Sequence, residues 1–423
     1  MKLTTTLLCA GLAAGAYAGD FASWAKTPPM GWNSWDCYGA AVNEAQFRAN
    51  VDFQSKHLAA AGYEYAVCDI RWTVQNEGLL GYNQENPLYT LDAYGRYLPA
   101  PNRFPSARGG KGFKPLADYV HSKGLKFGIH IMRGVPKEAV AKKLPVKGAD
   151  GVTCDMITDG KVECTWLRDN CTVLAERPGA QEYYDSIFEL YASWGVDFVK
   201  CDDLSAPVYH KDEVAMIRRA IDKCGREIVL STSPGETPFG AAADLQTKAN
   251  MWRVVNDVWD SWGHIEHLVP IMCEWLAVGA REGTWPDCDM IPLGKLGVAG
   301  HWWSLDSAAG RMTRLTKDEQ RTLMNFFAIC RSPLFIGADL PQLAGDPETL
   351  ALLTDAKILA AQRDGRSPKP VLCTKDECAI VSANSKGGRF LAIFNLSGKE
   401  RDVTALGYTR RLAPHASALM EIE

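Results

Sequence analysis

The chain has 423 residues, 47% apolar and 23% charged, enough to bury a substantial core and too long for one small domain. Lysine plus arginine number 46 against 50 acidic residues, a net charge of −4, so the basic excess of a nucleic-acid binder is absent. Beyond the N-terminal segment no run of 18 apolar residues offers a membrane anchor. Thirteen tryptophans, many beside polar groups, suit a protein that stacks on sugars or other flat-faced ligands, although most such rings belong to cores.

Residues 1–18 read as a secretory signal. One lysine precedes an apolar stretch from Leu3, and Ala16-Tyr17-Ala18 supplies the small-x-small cleavage pattern. The expected location is therefore the periplasm or the medium. Without Cys9, twelve cysteines remain in a chain where disulfides are permitted. Cys373 and Cys378 flank a polar turn between strand-like runs, the best local candidate for a bridge; the pairing of Cys154, Cys164 and Cys171 is open. Cys68 and Cys201 sit inside apolar runs and read as buried thiols. No CxxC pair occurs and the eight histidines are scattered, which speaks against a structural zinc site.

Along the chain, short apolar runs end in charged or aromatic groups: 30–35, 65–69, 127–131, 196–202, 228–232, 251–255, 284–287 and 333–339. Helical spacing appears between several of them, over 45–61, 114–123, 180–194 and 212–223. Strands alternating with helices imply parallel βαβ units, and eight of them imply a closed (β/α)8 TIM barrel. The barrel domain is expected over 19–362. Residues 363–423 read as short alternating strands of a small antiparallel β domain, with runs at 370–373, 378–383, 389–395, 401–404 and 416–422.

In a (β/α)8 barrel the chemistry sits where strands end. Those ends carry Trp35, Asp36, Asp69, His130, Lys200, Asp202, Arg253, Asp257, Asp287, Asp289 and Asp339. Any one aspartate here can be a helix N-cap; capping explains too little of the set. Period-2 alternation puts Lys200 and Asp202 on one side of their strand, with Cys201 opposite. A lysine beside Asp202 keeps it ionised, as a nucleophile requires. Asp257, in a Trp-rich stretch, is expected in an apolar setting that raises its pKa. Two carboxylates with divided roles are what glycoside hydrolysis needs.

Gly31-Trp-Asn-Ser-Trp35, Lys200-Cys-Asp202, Trp252-Arg253 with Asp257, Trp285-Pro-Asp-Cys-Asp289 and Ser332-Pro-Leu-Phe-Ile-Gly-Ala-Asp339 together resemble the α-galactosidases of glycoside hydrolase family 27. The resemblance runs through the barrel into the terminal β domain. It implies a retaining exo-glycosidase without metal or organic cofactor, with Asp202 as nucleophile and Asp257 as acid/base. It also implies a sugar pocket holding Trp35, Asp69, Lys200 and Arg253. Three departures stand out. The family's Asp-Asp pair on the galactose 4- and 6-hydroxyls is Asp69-Ile70 here, His130 stands where a tyrosine is usual, and Leu204 replaces a cysteine.

Ile70 bears on substrate. β-L-arabinopyranose has the ring stereochemistry of α-D-galactopyranose without the hydroxymethyl group, and an isoleucine cannot bond a 6-hydroxyl. Some family members prefer β-L-arabinopyranosides, and the expected activity is therefore β-L-arabinopyranosidase. The alternatives are α-galactosidase, α-N-acetylgalactosaminidase and a non-catalytic carbohydrate-binding barrel. Arg71 and His130 are the neighbours that would otherwise have to hold the 6-hydroxyl. The partner expected is a terminal arabinopyranosyl or galactosyl glycoside, with no nucleic acid and no membrane. Gly109-Gly-Lys-Gly112 reads as a turn, and Asn170-Cys-Thr and Asn395-Leu-Ser match glycosylation sequons.

Overall fold

A computed structural model describes residues 20–77, 82–279, 281–298 and 310–423. The signal segment lies outside the described residues. Apolar runs form the parallel strands β1 (Met30–Asn33), β2 (Tyr65–Cys68), β3 (Lys126–Met132), β4 (Phe198–Asp202), β5 (Val229–Thr232) and β6 (Met251–Arg253). They are followed by β7 (Trp285–Asp287) and β8 (Leu334–Ile336). Neighbours pair in chain order, and β8 returns to β1. The seventh wall is split. Trp285–Asp287 pairs with β6, the chain passes through Cys288 and Asp289 at φ 85°, and Met290–Ile291 then pairs with β8. Bending one strand so that each half serves a different neighbour closes the ring of the expected barrel.

Side chains alternate across this wall. Tyr65, Val67, Phe198, Val229, Met251 and Phe335 fill the interior, while Cys68, Val199, Cys201 and Trp252 face the helices. Those helices include α1 (Glu44–His57), α2 (Lys114–Ser122), α3 (Ala180–Trp194), α4 (Lys211–Lys223), α5 (Trp262–Val278) and α6 (Lys317–Ile329). Asn43 and Thr316 start α1 and α6 with capping boxes, the first closed by Gln46 and the second by Glu319. Helix α5 buries seven residues at helical spacing from Ile265 to Leu276, exposes Glu266, His267 and Glu274 on its other face, and carries Pro270 inside. Among the described residues no helix is long and apolar enough to cross a membrane.

The C-terminal segment forms β9 (Arg366–Cys373), β10 (Glu377–Ala383), β11 (Arg389–Asn395), β12 (Arg401–Ala405), β13 (Tyr408–Leu412) and β14 (Ser417–Ile422). The sheet order is β9-β10-β11-β14, with β12 and β13 as a separate ribbon. Phe390, Ala392 and Phe394 turn toward the barrel helices, and Leu391 and Ile393 turn toward Val403 and Leu412 of the ribbon. Helix α6 seats this sheet: Phe326 meets Phe394 edge-on at 5.6 Å, and the Thr322 hydroxyl donates to the His415 carbonyl at 2.7 Å. Strand β13 is mostly exposed and polar, so no apolar run marks it.

One expectation changes here, the hairpin bridge. None of the twelve described cysteines is disulfide-bonded. Cys373 and Cys378 do face each other across the β9–β10 hairpin, but the Cys378 sulfur lies 3.8 Å from Cys273 of α5. Both sequon asparagines are buried and bonded: Asn170 donates to the Arg133 carbonyl, and Asn395 donates to the Lys399 and Ala413 carbonyls. Neither side chain is open to glycosylation. Cys68 and Cys201 are buried thiols, as expected.

Candidate active site

The ends of β1, β2, β4 and β6 bring Trp35, Asp69, Ile70, Lys200, Asp202, Arg253 and Asp257 around one cleft of about 470 Å³. That volume is in the range of small-ligand sites. Tyr82, Trp166, Pro234, Asn256, Trp259, His264 and Met290 complete the lining. His130, 2% exposed, lies on the interior face of its strand beside Lys200 and reaches the cleft through Asp202.

Asp69 is anchored from four sides. Its backbone N–H donates to the Ser34 hydroxyl oxygen at 2.9 Å, and the Asn33 amide donates to its carboxylate at 2.7 Å. The Ile70 N–H and the Lys200 ammonium donate to it at 2.8 and 3.1 Å. Burial pushes the Asp69 carboxyl up, but Lys200, His130 and these hydrogen bonds outweigh it and leave the group below its ordinary range. Asp69 is therefore a fixed carboxylate acceptor.

Asp202 is held in the same way. Burial raises it, and is outweighed by the His130 Nε2 contact at 3.0 Å, by Lys200 and by the Ser233 hydroxyl donating at 2.8 Å. Its carboxyl ends well below the usual carboxylate range. Strand register sets this cluster: His130 stands opposite Lys200, and Met132 opposite Asp202. Lys200 answers with a pKa above its ordinary value, since Asp69, Asp202 and Asp289 together offset its burial.

Asp257 sits differently from the expectation. Its side chain is 55% exposed, and it accepts a hydrogen bond from Arg253 Nη2 at 3.1 Å. Of the tryptophans nearby in sequence only Trp259 shares the cleft: Trp252 packs in the helix layer, and Trp262 stacks on His415. An apolar cage around Asp257 is thus absent, and a cation stands in its place. The buried acid of this corner is Asp289. Its carboxyl binds Arg253 Nη1 at 2.7 Å and accepts from the Val258 N–H at 2.8 Å, tethering the loop that carries Asp257. Burial pushes Asp289 up to about 7, with Asp257 and Asp287 adding and Arg253 opposing. Asp36 and Asp287 are also raised, chiefly by burial. Asp339 is used structurally, accepting from the Tyr38 hydroxyl at 2.6 Å.

The wall beside Ile70 is apolar. Ile70 is 3% exposed and belongs to a cluster with Trp35, Cys164 and Leu167, against which Tyr82, Trp166 and Met132 pack. Arg71 points away from the sugar side into a polar knot. It makes a two-toothed bond to Asp169 at 2.7 and 2.6 Å and also binds Glu77. The two alternative holders of a 6-hydroxyl, Arg71 and His130, are already bonded to carboxylates.

Sequence reasoning missed the loop residues. Tyr82 stacks on Trp35 at 5.9 Å with ring planes 20° apart, and Trp166 packs on Tyr82 at 6.1 Å. Their loops follow β2 and β3 with no periodicity, and only the high tryptophan count pointed to them. Among the described residues, the grouping whose atoms converge like metal ligands lies outside the cleft lining.

A family model described as alpha galactosidase A matches residues 27–141 and 165–364. The chain belongs to this family, glycoside hydrolase family 27.

Among solved structures, a family-27 β-L-arabinopyranosidase from Geobacillus stearothermophilus is 42% identical with a TM-score of 0.90, covering 95% of this chain and 97% of that one. A variant of that enzyme was solved in complex with arabinose. The α-galactosidase A of Cellvibrio japonicus is 30% identical over 82% of this chain and 70% of its own length. The α-galactosidase of Cyamopsis tetragonoloba is 28% identical over 90% of this chain and 75% of its own length. This family-27 chain is accordingly a glycoside hydrolase with a carbohydrate substrate, built on a (β/α)8 barrel with a C-terminal β domain.

Proposed function

We propose that the enzyme removes terminal β-L-arabinopyranosyl residues with retention of configuration. The observation that carries the specificity is Ile70. At the end of β2 it presents a buried branched hydrocarbon, packed with Leu167 and Cys164, to the space beside Asp69. A hydroxymethyl group placed against that wall would leave its hydroxyl desolvated and unbonded, costing roughly 1–3 kcal/mol. Arabinopyranose, with hydrogen in place of the hydroxymethyl, avoids this cost. The likeness to a protein described as a β-L-arabinopyranosidase supports the same reading.

In the mechanism Asp202 attacks the anomeric carbon while Asp257 donates a proton to the departing oxygen; Asp257 then deprotonates the water that releases the sugar. Support for the nucleophile is the triple hold of His130, Lys200 and Ser233, which keeps Asp202 ionised and fixes its carboxylate. Support for Asp257 is its place in the same cleft, exposed enough to exchange protons with water, on a loop tethered through Asp289. Asp69 takes the 4-hydroxyl shared by both sugars, and Lys200 and Arg253 orient the ring through charge-assisted hydrogen bonds. Trp35 supplies an apolar face, steadied by Tyr82.

The curated α-galactosidase relatives favour a second reading, α-galactosidase. Paired kcat/KM values on aryl β-L-arabinopyranoside and aryl α-D-galactopyranoside separate the two. The proposal expects the arabinoside to lead by about 5- to 150-fold, the range one unpaired hydroxyl supplies. A galactoside preference beyond tenfold would overturn it.

A further inference from the structure

Three thiols meet where the barrel joins the C-terminal sheet. Cys273 comes from α5, Cys373 ends β9 and Cys378 lies near the start of β10. Their sulfurs all lie within 4.8 Å of one another, and Cys273 and Cys378 are 3.8 Å apart. Cys273 and Cys378 are buried, and Cys373 opens to solvent.

The spacing is informative. A disulfide brings two sulfurs to about 2.05 Å. Thiolates around a tetrahedral ion with metal–sulfur bonds of about 2.3 Å sit about 3.8 Å apart, the edge of that tetrahedron. The Cys273–Cys378 separation matches the second geometry. The hairpin pair is also a C-x4-C unit, within the spacing that zinc loops use.

We propose that Cys273, Cys373 and Cys378 form a structural zinc site that pins helix α5 to the β9–β10 hairpin. Cys373 gives the ion an entry point from solvent. With three protein ligands, a water takes the fourth position. Metal binding requires thiolates. The site is invisible in the sequence because its third ligand stands 105 residues before Cys378.

The test uses the full-length chain, purified under reducing conditions, stripped with a chelator and offered zinc alone. After gel filtration the wild type should retain about one zinc per chain. Cys273→Ser, Cys373→Ser and Cys378→Ser should each lose affinity by more than the tenfold to hundredfold typical of losing an outer-shell partner. Because a buried serine can impair folding, cobalt is also added to the wild type, where three thiolates should give a strong near-ultraviolet charge-transfer band. Glycosidase activity of Cys373→Ser serves as the folding control. Failure of the reduced wild type to retain zinc, or equal retention by a folded Cys373→Ser, would overturn the proposal. So would a Cys373–Cys378 disulfide in the native protein that, once reduced, takes up neither zinc nor cobalt.

Discussion

Replacing Ile70 by aspartate places a hydrogen-bond acceptor where the structure has hydrocarbon. The two side chains have the same number of heavy atoms, so the change is chemical more than steric. A 6-hydroxyl that was desolvated without a partner would gain one, recovering roughly 1–3 kcal/mol, and a charged acceptor lies at the upper end. Against this, the new carboxylate sits next to Asp69, whose cation Lys200 is already shared with Asp202. Part of the gain is lost to repulsion, which leaves about tenfold as the expected rise in the ratio of α-galactoside to β-L-arabinopyranoside kcat/KM. Loss of apolar packing against Leu167 should also cost roughly 2 kcal/mol of stability, a separate effect read by denaturant unfolding. Ile70→Asn and Ile70→Ala dissect the result: asparagine supplies an acceptor without charge, and alanine supplies only room. Activities on both aryl glycosides, measured side by side, give the answer. An unchanged ratio with both activities depressed would refute the reasoning, and an equal rise in Ile70→Ala would replace hydrogen bonding with simple space.

Asp202→Ala should abolish turnover, and added azide should release from an activated substrate only a glycosyl azide of inverted configuration; rescue with retention would end the nucleophile assignment. Asp257→Ala should slow substrates with poor leaving groups far more than activated aryl glycosides, because the latter need little protonation; equal losses on both would assign Asp257 to binding. His130→Phe removes a main influence holding Asp202 down, so the acid limb of kcat/KM against pH should move upward by on the order of one unit; an unmoved limb would mean that Lys200 and Ser233 suffice. Asp289 binds its proton more tightly folded, up to about 7, than unfolded, near 3.9, so it makes stability fall as pH rises through that window. Asp289→Asn should make the slope of unfolding free energy between about pH 4 and pH 7 more positive than in the wild type, and an identical slope would contradict the raised pKa.

Much of the barrel was legible because strands buried on both faces must be continuous apolar runs, and most of them here end close to a conspicuous charge. The alternation of Lys200, Cys201 and Asp202 followed from strand geometry alone. Helix α5 escaped because Pro270 inside it reads as a helix stop, and β13 because its alternating surface is mostly polar. The setting of Asp257 was misjudged for a different reason. Neighbouring tryptophans in sequence need not be neighbours in space, and Arg253, four residues earlier, reaches it first. Tyr82 and Trp166 come from irregular loops, whose course depends on tertiary contacts such as the Arg71–Asp169 bond. The cysteines show the same limit: the hairpin partners could be read locally, and the third thiol could not.

The most direct test of the central claim is a competition between 2-deoxy-2-fluoro-β-L-arabinopyranosyl fluoride and its α-D-galactopyranosyl counterpart, at equal concentration, followed by mass mapping of the labelled peptide. The account predicts a covalent sugar on Asp202, with the arabinopyranosyl adduct in at least fivefold excess, the lower end of what one unpaired hydroxyl supplies. Label on another carboxylate, or a galactosyl adduct in excess, would contradict it.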